Sequence, residues 1–197
     1  MDADADAELM VQVAAGDRAA FGVLFDRYQA SICRFSRRFV GDEARAEEVA
    51  QDIFVKLFRT AKSYRPTAKF KTFLFRVATN HCLNEVRRGE YRMPHASHDK
   101  TENEEADASY GTAVTPDQAL HGKELEGAVA AALEGLSERE RAAFTMCRFE
   151  GMAYREIATA LSASDAAVKS LIHRATLAVA KRIDELQAGL SPARSRA

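Results

Sequence analysis

With 197 residues, 47% of them hydrophobic and 29% charged, the chain has room for one large soluble domain or two small ones. A net charge of −1 excludes an overall basic field, so any affinity for nucleic acid has to come from local patches. No run of 18 apolar residues exists, so no membrane span is expected, and the acidic start MDADADAELM lacks the basic and apolar regions of a secretory signal.

Helical periodicity dominates the chain. Phe21, Leu24, Phe25, Tyr28, Ile32, Phe35 and Phe39 recur in steps of three and four, which predicts a helix with one apolar stripe. Asp17 is its expected N-cap and Gly41 its stop. A second helix is expected from about Asp42, with Ala46, Val49, Ile53 and Leu57 inside and Glu47, Glu48, Gln51, Asp52 and Lys56 outside. Pro66 disfavours helix at Arg65 and breaks the pattern there. A third helix is expected from about Lys69 to Arg88. Phe70, Phe73 and Phe75 crowd its start and cannot all face one core, and Lys69, Lys71 and Arg76 interleave with them. Aromatics among cations suit unstacked bases and their backbone. Asn80 carries both a donor and an acceptor for an exposed base edge. His81 falls near the inner stripe and reads as a packed histidine.

Composition shifts after Ser97. As far as Gly127 acidic residues outnumber lysines and large apolar side chains are scarce. Such a stretch buries too little surface to offset its ordering entropy, so a flexible linker is expected. Helical patterning resumes at Val129, Leu133 and Leu136. Ser137 and Glu140 have the spacing of a capping box, and Phe144 and Phe149 carry an apolar face on to Gly151. A short helix from Tyr154 to Leu161, a turn at Ser162-Ala163-Ser164 and a long helix from Asp165 to about Leu186 make a helix-turn-helix. Val168, Leu171, Ile172, Ala175 and Val179 are expected inside. Ala166 and Ala167 permit close approach to a groove, while Lys169, Ser170, His173 and Arg174 share the outer face.

Cys33, Cys82 and Cys147 are far apart, odd in number and without CxxC spacing, so they read as small buried apolar residues in a reducing cytoplasm. The histidines form no metal spacing with them.

The segment YREIATALSASDAAVKSLIHRATLAVAKRI resembles the DNA-binding region 4 of extracytoplasmic-function (ECF) sigma factors, of the sigma-70 family. AFGVLFDRY through VGDEARAEEVAQDIFVKLFR resembles sigma region 2, and FKTFLFRVATNHCLNEVRR the segments that melt and read the −10 element. The resemblance implies an all-α fold of two small helical domains. Region 2 is expected over 8–93, a flexible acidic linker over 94–119, region 4 over 120–186 and a tail over 187–197. It implies a non-enzymatic subunit, free of cofactors and of membrane insertion, that binds core RNA polymerase through its β′ and β subunits and directs initiation on promoter DNA. An anti-sigma factor is the further partner it implies. By the same resemblance Glu47, Glu48, Gln51, Asp52 and Phe54 meet the polymerase. Lys69, Phe73, Arg76, Asn80 and Asn84 meet the −10 element, and Lys169, Ser170, His173 and Arg174 the −35 element. The loop from Ser63 to Thr72 is similar to the family's specificity loop.

Three positions depart from the family pattern. Phe73 stands where tryptophan is frequent, Leu171 where a basic residue is common, and Ala153 where a capping Ser or Thr is usual. The last costs about 1 kcal/mol of helix initiation. A stand-alone helix-turn-helix regulator and an enzyme on a helical scaffold are the rival readings. The upstream region-2-like segment argues against the first. The lack of a nucleophile–base pair, a Gly-rich phosphate loop or a metal set argues against the second.

Overall fold

The computed structural model describes residues 4–92 and 127–190, with side chains for 4–89 and 127–185. The linker expected at 94–119 lies outside the described residues. Among the described residues there is no strand.

The first helix, α1 (Ala5–Ala14), is one the sequence reading does not anticipate. Asp4 caps it by accepting from the Asp6 amide, and Ala7, Met10 and Val13 are buried. Helix α2 (Arg18–Val40) starts where the Asp17 carboxylate accepts from the Ala19 and Ala20 amides. It stops at Gly41, whose φ of 78° is a conformation only glycine adopts without strain. Helix α3 (Glu43–Arg59) is capped by Asp42, and Ala46, Val49, Ile53 and Leu57 are fully buried as the periodicity requires. A 3-10 turn (Ala61–Ser63) and the Arg65–Pro66 break lead into α4 (Phe70–Arg92).

Helix α4 corrects one expectation. Phe70 and Phe75 are fully buried, and only Phe73 stays partly exposed. The three rings do not compete for one face, because each finds its own. Phe70 packs edge-on to Tyr28 at 5.5 Å between ring centres, Phe75 edge-on to Phe35 at 5.2 Å, and Phe73 against Tyr64 at 4.9 Å.

The C-terminal half has a helix at 127–134 (α5), then α6 (Glu138–Arg148), α7 (Tyr154–Leu161) and α8 (Asp165–Leu190). The capping box forms: the Ser137 hydroxyl accepts from the Glu140 amide while the Glu140 carboxylate accepts from the Ser137 amide. Helix α8 runs past the expected end at Leu186. Val168, Ile172, Ala175 and Val179 are buried and Leu171 half-buried.

Two apolar clusters hold these helices. A small one joins Leu133 and Leu136 to Phe144, Ala175 and Val179. The large one begins in α1–α4 and continues without a break into Met146, Met152, Ile157, Val168 and Ile172. The two halves are therefore packed on one another. The cysteines are all free, but only Cys82 is fully buried. Its thiol is pushed up to about 12 by burial, while Cys33 and Cys147 are half-buried, contrary to the expectation.

Candidate nucleic-acid and protein interfaces

Three surfaces carry the residues singled out in the sequence. The first is the outer face of α4. Spacings of three and four bring Phe73, Arg76, Asn80 and Asn84 into one line along the helix. Arg76, Asn80 and Asn84 are exposed and Phe73 half-exposed. The Arg76 guanidinium stands 5.4 Å from the Phe73 ring centre, so the line starts with a cation over an aromatic face. Bare π surface, a delocalised cation and two side-chain amides together can stack on an unpaired base, offset its phosphate and read its edge.

The start of this line is anchored from a distance. The Phe70 amide, an orphan donor at the helix N-terminus, donates to Asp4 at 2.6 Å. Tyr28 donates to Asp6 at 2.6 Å, and Arg27 pairs with Asp6. Burial, with the Asp4 carboxylate adding to it, raises the Tyr28 and Tyr64 phenols above their ordinary range. Sequence reading missed Asp4. Its only signal is a cap residue before a short Ala/Met/Val pattern, which the acidic run MDADAD obscures.

The second surface is the α2–α3 groove. Phe25, Gln29, Cys33, Glu47, Gln51 and Phe54 line it. Glu47 and Gln51 are exposed on its α3 side, while Glu48 and Asp52, also exposed, lie toward α4, Glu48 on Arg45, which also pairs with Glu85, and Asp52 beside His81. Phe54 differs from its neighbours. It is only 3% exposed and packs edge-on to Phe25 and Phe21, so it forms the groove floor. Burial, reinforced by Glu47 and Glu43, raises the Cys33 thiol. His81 lies 3.8 Å from Asp52, where burial lowers its pKa despite that carboxylate, in keeping with a packed histidine.

The third surface is the helix-turn-helix. Ser162 takes the left-handed conformation, φ 49° and ψ 51°, in the turn, and the Ser164 hydroxyl accepts from the Ala167 amide at the start of α8. Lys169, Ser170, His173 and Arg174 are all exposed on one side of α8. Arg174 is already engaged: its Nε donates to Glu140 at 2.7 Å. The Ser137 hydroxyl first and Arg174 second hold the Glu140 carboxyl below its ordinary range. Ala153 offers α7 no capping side chain, and Glu156 compensates in part by accepting from the Ala153 amide at 2.9 Å.

The sequence gives no warning of how the two halves meet. Lys69 pairs with Glu156 at 2.8 Å. Lys71 donates to the Glu150 backbone carbonyl at 2.6 Å and faces its carboxylate at 3.6 Å, and Ser31 donates to the same carboxylate at 2.6 Å. Burial would raise the Glu156 carboxyl, but Lys69 and the Ala153 amide outweigh it and hold the group low. Arg87 pairs with Glu138, Arg38 lies 3.8 Å over the Phe149 ring, and Arg141 reaches the Arg38 and Phe39 carbonyls at the end of α2.

A helical bundle with an exposed line of aromatic, cationic and amide side chains, joined in one chain to a helix-turn-helix, has the make-up of a two-module nucleic-acid-binding protein. Comparison with known proteins narrows this. Residues 24–91 match the model of Sigma-70 region 2, and residues 126–178 that of Sigma-70, region 4. The chain is 35% identical to the RNA polymerase sigma-H factor of Pseudomonas aeruginosa over 185 residues, covering 92% of this chain and 95% of that one. It is 31% identical to the ECF RNA polymerase sigma-E factor of Escherichia coli over the same span and coverage. Among solved structures, CnrH in complex with the cytosolic domain of CnrY superposes with a TM-score of 0.68 at 25% identity, covering 92% of this chain and 99% of that one. The sigma factor RpoE of Bartonella quintana, solved with the anti-sigma factor NepR, shares the fold with a TM-score of 0.63 at 20% identity, over 85% and 96% of the two chains.

The chain belongs to the sigma-70 family, in its extracytoplasmic-function group. It is an RNA polymerase sigma factor that directs promoter-specific transcription initiation. It is a binding subunit and not an enzyme, with core polymerase and promoter DNA as its partners. Among the described residues no helix is long and apolar enough to cross a membrane.

Proposed function

We propose the following division of labour within the chain. Region 2, over residues 8–93, docks on the β′ subunit through the Glu47, Glu48, Gln51 and Asp52 edge of α3, with Phe54 shaping the groove floor. It captures unpaired −10 bases along α4 through Lys69, Phe73, Arg76, Asn80 and Asn84. Region 4, over residues 120–186, seats α8 in the −35 major groove through Lys169, Ser170, His173 and Arg174. Residues 94–119 are the linker between them. The observation that carries this reading is the exposed line on α4. A solvated helix face rarely combines a half-bare phenylalanine, a guanidinium over its ring and two amides in register. The work is done in the cytoplasm, where the polymerase is. An anti-sigma factor that covers the α2–α3 groove holds the subunit in reserve. The Bartonella quintana RpoE, of this fold, was solved with the anti-sigma factor NepR, and CnrH with the cytosolic domain of CnrY.

The test is initiation in vitro. Purified protein is added to bacterial core polymerase on a promoter library, and start sites are mapped. Initiation at a shared two-element sequence is expected. It should fall on changing Gln51 and Asp52 together, on Phe73→Ala, and on Lys169→Ala with Arg174→Ala. DNA binding without polymerase, and no initiation with it, would assign these surfaces to a stand-alone regulator.

A further inference from the structure

Lys69, proposed for the −10 strand, and its neighbour Lys71 are not free. Lys69 is paired with Glu156 at the start of α7, and Lys71 is held by both the carbonyl and the carboxylate of Glu150 in the turn between α6 and α7. Both lysines stand at the first turn of α4, beside the half-exposed Phe73. Two carboxylates at the ends of two lysines reproduce the charge pattern that successive phosphates present to a single-strand site. The surrounding geometry fixes them there. Ser31 holds the Glu150 carboxylate at 2.6 Å, the Ala153 amide holds that of Glu156 at 2.9 Å, and Glu150 keeps only 7% of its side-chain surface exposed.

We infer that Glu150 and Glu156 of region 4 act as an intramolecular stand-in for promoter phosphates, masking Lys69 and Lys71 at the start of the −10 face of region 2 in the unassembled subunit. This rests on the proposed assignment of Lys69 to the −10 element. The other two surfaces stay open in this arrangement. Glu47, Glu48, Gln51 and Asp52 on α3 are exposed, as are Lys169, Ser170 and His173 on α8. The closed subunit can therefore meet polymerase, or a duplex, while the lysine end of its single-strand site is occupied by its own carboxylates and Arg76, Asn80 and Asn84 stay exposed further along α4. Moving region 4 away from region 2 then uncovers Lys69 and Lys71 together. The order is polymerase first, strand capture second. The apolar packing through Met152 and Ile157 adds to the closed form, and the carboxylates give it charge specificity and salt sensitivity. A masked site has its affinity reduced by the fraction of molecules that are open.

The experiment uses the full chain without polymerase. The variants are Glu150→Gln with Glu156→Gln, Glu150→Gln alone, and a charge-matched control, Asp184→Asn with Glu185→Gln, on the exposed far part of α8. Glutamine at 156 can still accept from the Ala153 amide, and the single Glu150→Gln leaves that cap untouched should the double variant fold poorly. Small-angle scattering reads the separation of the halves. Anisotropy of a labelled single-stranded DNA of about 15 nucleotides and mixed sequence reads the site. At low salt the Glu150/Glu156 variants should be more extended than the parent and bind the strand at least about threefold more tightly, an effect the control should lack. Raised salt should extend the parent toward the variant. An unchanged scattering curve, or a gain in binding no larger than the control's, would overturn the inference. Initiation with core polymerase is measured in parallel and should be the same for parent and Glu150/Glu156 variant. If neither initiates, the proposed function fails while the masking result stands on its own readouts.

Discussion

Replacing Arg141 by alanine should test how firmly the two halves are joined. Arg141 projects from α6, where one guanidinium nitrogen donates to the Glu134 carbonyl at 2.9 Å and to that of Leu136 at 3.5 Å. The other reaches the Arg38 and Phe39 carbonyls at 3.4 Å each, at the C-terminal end of α2. Those two carbonyls are among the acceptors a helix leaves unpaired, at the negative end of its dipole. Burial disfavours the charged form of Arg141 and lowers its pKa, yet a guanidinium stays protonated, so its hydrogen bonds must offset the cost. One good charged hydrogen bond contributes about 1.5–3 kcal/mol, and a cation at a helix end about 0.3–1 kcal/mol. The contacts at 3.4 and 3.5 Å are too long to count in full. Arg141→Ala should therefore cost about 2–4 kcal/mol. Urea unfolding followed by circular dichroism measures it. Because the same side chain bridges both halves, the variant should also broaden or split a transition that is single in the parent. Arg141→Lys keeps the charge and loses the fork, so it should fall between the two. A variant within about 0.5 kcal/mol of the parent, with one unbroadened transition, would refute the reasoning.

Other outcomes follow from the packing and the charges. Phe75→Ala, at a fully buried ring against Phe35, should destabilise the fold by about 3–5 kcal/mol, whereas Phe73→Ala should cost less stability and lose initiation. Thermal melts alongside run-off transcription separate the two. Glu140 has its folded-state pKa held below the ordinary glutamate value by Ser137 and Arg174. Its stabilisation should be complete above about pH 4.3 and lost as pH falls through the lower folded value. Glu140→Gln should flatten that acid limb when urea midpoints are plotted against pH. Lys169→Ala should weaken −35 duplex binding across sequences and lower its salt dependence, as a phosphate contact does. Arg174→Ala should instead relax preference at particular base pairs if it reads an edge, which a binding-site selection would show.

Much of the fold was legible in the sequence because its signals are local. Asp17, Asp42 and Ser137 each announce a helix start that the structure bears out, and Gly41 a stop that needs a positive φ. Period-3.6 stripes placed Val49, Ile53 and Leu57, and Val168, Ile172 and Ala175, on the buried side. The misreading of Phe70 and Phe75 has a different origin. A pattern along one helix cannot reveal that Tyr28, Phe35 and Tyr64 receive three rings from different directions. The depth of Phe54 is hidden for the same reason, since Phe21 and Phe25 pack edge-on against it from α2. Helix α1 was missed because its Ala, Met and Val pattern is short and sits in an acidic run. The pairing of Lys69 and Lys71 with Glu156 and Glu150 leaves no trace in either segment. It depends on how two modules some eighty residues apart in the chain come to rest on each other.

Phe149 bears on what an opened subunit would expose. It is 44% exposed even with the Arg38 guanidinium lying 3.8 Å above its ring and Phe144 at its edge. Whenever region 4 swings off region 2, that cover leaves, and a bare aromatic is offered to solvent next to the newly opened start of α4. Opening would bare that ring together with Met152 and Ile157 from the shared apolar cluster, and a contiguous patch of this kind favours self-association. A subunit that stayed open while waiting for polymerase would thus be spent quickly, through clumping, and its supply would follow the rate of capture by polymerase more closely than the rate of synthesis.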